Sequence, residues 1–177
     1  MMTSGNKKRK NTEAQIKRIL IYSALLFFLS VAESSFFANL KILPATPDLI
    51  LGAVTVVALT DTRKTATVTA IIGGIMSDAV CGTGIYLSPL FYLAVALILS
   101  PFSKKMLRSY LSWLAIFPIA LLMRALYTVG RAYLFGGGLE FTELLRYVVL
   151  PEILCTAVFC LLLYPAVALS SRIVKSR

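Results

Sequence analysis

The stretch LAIFPIALLMRALYTVG (114–130) places a single arginine, Arg124, in the middle of an apolar run. No other charged residue lies between Arg108 and Arg131. A charged side chain inside the hydrocarbon of a membrane costs about 2.5–3.5 kcal/mol, so Arg124 is expected to face protein and to pair with an acid. We predict a buried polar network formed by Arg124 and the three acids at comparable depth in other apolar segments, Glu33, Asp78 and Glu152.

Composition supports a membrane protein. Of the 177 residues, 58% are hydrophobic and 15% are charged, and the mean hydropathy is +0.83. Soluble domains are about 45–50% apolar and about 25% charged. Without histidine, and with three cysteines in no metal-binding spacing, the chain offers no zinc site, and we expect no cofactor.

Apolar segments separated by polar turns predict six transmembrane helices in one all-α domain, residues 19–170. Basic tails flank this domain at 1–18 and 171–177, and we expect the first tail to be disordered. The first segment also resembles a signal peptide, but its apolar residues continue past Glu33, which favours an uncleaved anchor. A short amphipathic helix is predicted at 139–149. The predicted spans are 19–37, 48–59, 65–80, 85–99, 110–129 and 148–169.

The distribution of basic residues predicts the orientation of these spans. If both termini and the loops 60–64 and 100–109 share one side, that side holds fourteen lysines and arginines, whereas the other holds three, Lys41, Arg131 and Arg146. Because basic residues mark cytoplasmic loops, both termini are predicted to be cytoplasmic. The net charge of +10 is thus attributed to topology and lipid contact, and no nucleic-acid partner is expected.

Three interpretations of the polar network are open at this point. Counted from the cytoplasmic side, Glu33 and Arg124 each lie about 21 Å into the membrane at the helical rise. The network is then an ion-pair cluster that fixes helix register, a set of side chains wetted near the headgroups, or a ligand or proton site. For the first we predict that Arg124→Leu lowers folded yield more than Arg131→Leu.

Three further stretches carry a family resemblance. They are PATPDLILGAV (44–54), IIGGIMSDAVCGTGIY (71–86) and LPEILCTAVFCLLLYP (150–165). In this order, in a six-span chain with basic termini, they resemble the rod shape-determining protein MreD family over about residues 19–175. The resemblance is looser in the third stretch, where Glu152 and Cys155 replace neutral polar residues. The motif positions carried over as structural or partner-facing candidates are Asp48, Asp78 and Gly82, and small residues for close helix packing are Gly73 and Gly74.

This resemblance implies a non-enzymatic scaffold of the bacterial cell-elongation machinery in the inner membrane. Its implied partner is MreC, together with MreB, RodA and a penicillin-binding transpeptidase, in support of peptidoglycan synthesis and cell shape. The implied fold is similar to the six-helix substrate-binding subunits of energy-coupling-factor transporters. The alternative function is therefore a vitamin transporter's binding subunit, because fold does not settle function. A lipid-modifying enzyme is the third possibility, which the sequence favours least.

Overall fold

A computed structural model of the chain describes residues 4–37, 47–81, 87–104, 110–135 and 141–175. The described residues are almost wholly helical and contain no strand, as the sequence predicted for an all-α protein. We number six helices. They are α1 (Ser4–Ala32, continued by a π-helical turn Glu33–Phe37), α2 (Leu49–Thr60), α3 (Arg63–Cys81), α4 (Ser88–Leu99, continued by a 3₁₀ turn Ser100–Lys104), α5 (Tyr110–Phe135), and α6, which comprises Phe141–Leu144, a π-helical turn Leu145–Val149 and Leu150–Lys175.

Helix α2 lies at the centre of the molecule and packs against each of the other five helices. Every residue from Leu49 to Ala58 is buried. A helix that is apolar all round belongs in an interior, and the sequence LILGAVTVVA fits that position. Its 12 residues extend about 18 Å, which is less than the roughly 30 Å of a bilayer core. The first residues of α2 are themselves buried, so this helix begins inside the protein.

Helix α1 begins at Ser4, well inside the segment that the sequence analysis assigned to a disordered tail. That expectation was wrong for residues 4–18, whose backbone is helical. Lysine, arginine, glutamate, glutamine and alanine fill much of this segment, and all have high helix propensity. The apolar part of α1 then buries Tyr22, Leu26 and Leu29 against the core.

Two glycines of α3 lie close to neighbouring helices, Gly74 to α4 and Gly73 to α1 and α2. A Cβ on Gly74 would overlap the backbone of Pro89, so only glycine permits this approach. At Gly73 a Cβ would lie 3.1 Å from Ile50 Cγ2 and 3.3 Å from Leu26 Cδ1, contacts that flexible side chains can relieve. The predicted packing role of small residues thus applies most strictly to Gly74, and Gly82 lies outside the described residues.

Helices α5 and α6 differ from the predicted spans in length. Helix α5 extends to Phe135 rather than ending near residue 129, and it contains Pro118. The predicted amphipathic helix and the sixth span form one continuous helix that passes through a π-helical turn. Near the start of α5, Trp113 donates a hydrogen bond of 3.2 Å to Thr55 of α2 and stacks on Phe117. This contact ties α5 to the central helix.

Within the described residues, three helical segments are long and apolar enough to cross a membrane: Thr12–Ser35, Trp113–Leu134 and Phe141–Leu162. Leu49–Thr60 and Ser88–Phe102 are apolar but shorter. The long segments expose large apolar side chains, including Phe28 at 72% and Leu134 at 74%. Because such surface is unfavourable in water, the chain is a membrane protein.

Candidate functional site: a buried polar centre

Helix α2 begins inside the protein, and a cluster of polar side chains surrounds its first turn. We call this cluster the polar centre. Its members come from four helices, α1, α4, α5 and α6, and from the residue before α2. They are Glu33, Asp48, Tyr92, Arg124, Thr128, Glu152 and Thr156. Asp61, at the far end of α2, lies 13 residues from Asp48, a separation of about 20 Å along the helix.

Three backbone N–H groups at the start of α2 have acceptors from three sources. The Asp48 N–H donates to Thr156 Oγ1 at 3.0 Å, the Leu49 N–H to Glu33 Oε2 at 3.3 Å, and the Leu51 N–H to Asp48 Oδ1 at 2.8 Å. The first N–H groups of a helix have no intrahelical acceptor, and burial makes an unpaired one costly. The polar centre therefore satisfies a helix end that water cannot reach.

Asp48 combines two roles at this end. Its side chain is the N-cap of α2, and the residue is 1% exposed. Tyr92 of α4 donates to both of its carboxylate oxygens, at 2.8 and 2.9 Å. Arg124 Nη1 lies 3.0 Å from Asp48 Oδ2. A buried carboxylate is stable only when it is paired and hydrogen-bonded, and both of these oxygens are engaged.

Arg124 joins α2 to α6. Besides Asp48, its guanidinium contacts Glu152, with Nε and Nη2 at 2.8 and 2.7 Å from Oε1. Thr128, one turn further along α5, donates to Glu152 Oε2 at 2.9 Å. The Arg124 side chain is 17% exposed and that of Glu152 is 12%. Removing one partner of a buried ion pair costs about 3–5 kcal/mol because the other charge is left uncompensated.

Two aromatic rings border the guanidinium. Arg124 Cζ lies 5.7 Å from the ring centre of Phe91 and 5.5 Å from that of Tyr127. The two rings stack on each other with their centres 4.6 Å apart. A cation near the face of an aromatic ring is attracted by its quadrupole, more strongly when it is shielded from water. The rings thus contribute to holding Arg124 between α4, α5 and α6.

One face of α6 serves the start of α2. Glu152, Thr156 and Cys160 follow at intervals of four residues, so they lie on the same side of the helix. Glu152 binds Arg124, Thr156 accepts from the Asp48 N–H, and Cys160 Sγ lies 3.6 Å from the Asp48 carbonyl oxygen. Cys160 also packs on Gly52, where a Cβ would overlap its sulfur. These contacts fix the position of α6 along its axis relative to the start of α2.

The predicted network and the observed cluster share three residues. Arg124 and Glu152 are in direct contact, and Glu33 binds the backbone of Leu49 beside them. Asp78 is 4% exposed and lies apart, since it accepts a hydrogen bond of 3.2 Å from the Ser88 N–H at the start of α4. Asp48, predicted as a motif or partner-facing residue, takes the central position instead.

Sequence reasoning missed several members of the polar centre. Asp48 follows Pro47 and precedes an apolar run, a pattern typical of an N-cap at the start of a helix. Tyr92 was not among the predicted residues, and its hydroxyl donates a hydrogen bond to Asp48. Thr128 and Thr156 carry no sequence signal beyond their four-residue spacing from Arg124 and Glu152.

The described side chains include no group of three or more histidine, cysteine, aspartate or glutamate residues placed to hold a metal ion. Comparison of the chain with protein-family models, with curated proteins and with solved structures gives no match.

Proposed function

We propose that this chain is a non-enzymatic scaffold of the bacterial cell-elongation machinery, similar to the MreD family. In this proposal it binds MreC and works with MreB, RodA and a penicillin-binding transpeptidase in peptidoglycan synthesis. Its six helices span the inner membrane, including the shorter α2, α3 and α4, and both termini are cytoplasmic. The alternative remains a substrate-binding subunit of a vitamin transporter.

The observation that carries the proposal is the way in which the polar centre is used. Asp48 and Glu152 direct their carboxylate oxygens to Arg124, to hydroxyl groups and to the first turn of α2. Glu33 contributes to the same helix end. Such a cluster sets the relative positions of α1, α2, α4, α5 and α6. This favours the register-fixing interpretation, and a scaffold needs that rigidity more than a reactive group.

The stretches that resemble the family support the proposal because each of them supplies residues that join two helices. The first supplies Asp48 and Gly52, and the third supplies Glu152 and the rest of the α6 face. The second supplies Gly74 at the contact between α3 and α4. It also supplies Asp78 of α3, which accepts a hydrogen bond from the backbone at the start of α4. Each of the three stretches therefore contributes residues to the contacts between helices.

The charge distribution supports the proposed topology. Arg18, Asp61, Arg63 and Lys64 gather at the end of the molecule away from the polar centre. With fourteen basic residues on the predicted cytoplasmic side and three on the other, the polar centre lies in the outer third of the membrane. Labelling of single cysteines introduced at Thr62, between α2 and α3, and at Gly137, between α5 and α6, in intact and permeabilised cells, tests this orientation.

The function is tested by identifying the partners. A C-terminally tagged chain is crosslinked in living cells, purified in mild detergent and analysed by mass spectrometry. We expect an MreC-like protein with a single membrane span, accompanied by cell-wall synthases. Recovery of ATPase subunits and a transmembrane coupling protein instead would support the transporter alternative and overturn the scaffold proposal.

The Arg124→Leu variant, compared with Arg131→Leu at equal amounts of folded protein, connects the polar centre to assembly. We expect Arg124→Leu to recover less of the partner set, because helix positions at the docking surface shift. Equal recovery by the two variants would separate the polar centre from partner binding.

A further inference from the structure

The end of the molecule opposite the polar centre carries a second cluster of charged side chains. Asp61, directly after α2, accepts from Arg18 Nη1 at 3.2 Å, from Tyr22 Oη at 3.2 Å and from the Thr62 N–H at 2.7 Å. This carboxylate is fully buried. The contacts join α1 to the connection between α2 and α3, and they neutralise one positive charge with one negative charge.

Three further cations surround this pair. Lys17 precedes Arg18 on α1, and Arg63 and Lys64 form the first two residues of α3; all three are exposed. The nearest described acid on α1, Glu13, lies one turn before Lys17, at a spacing that favours pairing with it. Arg63 and Lys64 have no acid at this spacing on their own helix.

The position of these two residues is electrostatically unfavourable in the isolated protein. The amino end of a helix carries a partial positive charge, and acids rather than bases stabilise it. The first turn of α3 contains no acid, and the carboxylate just before it, Asp61, is already paired with Arg18. In addition, Arg18 Nε is buried and donates no hydrogen bond among the described residues. An anion placed between Arg18 and the start of α3 would offset both features.

Apolar side chains continue from the cations along the same helix faces. Leu20 and Ile21, three and four residues after Lys17, are 63% and 44% exposed. Val68, four residues after Lys64, is 38% exposed. Residues at these spacings lie on one side of a helix, so each charged surface borders an apolar one. Inorganic phosphate or a soluble acidic protein would not use this apolar border, whereas a phospholipid would.

We propose that this surface binds an anionic phospholipid, with the headgroup phosphate at Arg18, Arg63 and Lys64 and the acyl chains along Leu20, Ile21 and Val68. The lipid compensates the positive charge at the start of α3. It also links α1 to α3 through their shared contact at Asp61. This site is independent of the proposed scaffold function, since it requires only that the chain is embedded in a membrane.

The test measures lipid binding to the purified full-length chain in mild detergent by native mass spectrometry. Short-chain phosphatidylglycerol and phosphatidylcholine are titrated against the unchanged protein, Arg63→Gln/Lys64→Gln and Arg131→Gln/Arg146→Gln. The last double variant makes the same change in net charge with exposed residues elsewhere. At roughly a fivefold affinity loss per basic residue near an anionic surface, we expect Arg63→Gln/Lys64→Gln to bind phosphatidylglycerol about 30-fold more weakly. The control variant should stay within about twofold.

Three results would overturn the site. They are equal binding of the two lipids by the unchanged protein, equal losses in the two double variants, and displacement of phosphatidylglycerol by millimolar inorganic phosphate. Lys17→Gln provides a second variant with a smaller expected loss, about fivefold or less. Because Arg63, Lys64 and Lys17 are exposed, these substitutions remove no buried contact, and the elution profile of each variant verifies that it is folded.

Discussion

Replacing Arg124 with leucine tests whether the polar centre stabilises the helix bundle. Arg124→Leu removes the contacts to Asp48 and Glu152 and leaves two carboxylates, 1% and 12% exposed, without their cation. Breaking a buried pair in this way costs about 3–5 kcal/mol. For a chain of this size, 1 kcal/mol corresponds to about 2–4 °C in the midpoint of thermal unfolding. We therefore expect the midpoint to fall by about 6–20 °C.

The assay heats purified variants in one mild detergent and measures the fraction that stays monodisperse in size-exclusion chromatography. Arg131→Leu is the matched control, since Arg131 is exposed on the same helix and should change stability by no more than about 0.5 kcal/mol. The double variant Arg124→Leu/Glu152→Leu should recover part of the loss, because one stranded carboxylate is removed with the arginine. If Arg124→Leu and Arg131→Leu unfold at the same temperature, the ion-pair argument fails.

Three smaller predictions use the same assay. Gly74→Ala should destabilise the protein by about 1–3 kcal/mol, because the added Cβ overlaps the backbone of α4. Gly130→Ala is the control: no atom lies within 4 Å of its Cβ, so its stability should stay the same or rise by up to about 1 kcal/mol. The same effect in both variants would contradict the close contact at Gly74. Asp48→Asn should lower stability less than Asp48→Ala, because asparagine loses the charge but keeps the N-cap of α2. An N-cap contributes about 0.5–2 kcal/mol. The reverse order would exclude capping as the main role of Asp48. Trp113→Phe should cost about 0.5–1.5 kcal/mol through its hydrogen bond to Thr55, and an unchanged midpoint would show that this bond contributes nothing.

Much of the architecture follows from local sequence. Pro47 and Asp61 bound an apolar segment and indicate where α2 begins and ends, whereas the end of α5 lies beyond the predicted residue 129. The α2 segment is apolar on all sides, which already predicts burial. The extent of α1 and the continuity of α6 were mispredicted, since polar helix formers and a π-helical turn give no hydropathy signal.

The candidate site was predictable only in part. An arginine in an apolar span is expected to pair with an acid, and Arg124 pairs with Glu152. Which acid it meets depends on how the helices are arranged around α2. Asp78 was predicted to lie at a suitable depth, but its carboxylate accepts a hydrogen bond from the backbone at the start of α4. Asp48 was recognised as a motif residue, although its place beside Arg124 required the packed structure.

The sequence by itself determined that the chain is a helical membrane protein and that Arg124 must be buried with an acidic partner, because hydropathy and the cost of a charge in hydrocarbon are local properties. The tertiary structure alone decided that this partner set includes Asp48. It did so because α2 begins inside the protein, and its buried first turn needs acceptors from α1 and α6. The polar centre exists where that helix end, the arginine and the acids meet.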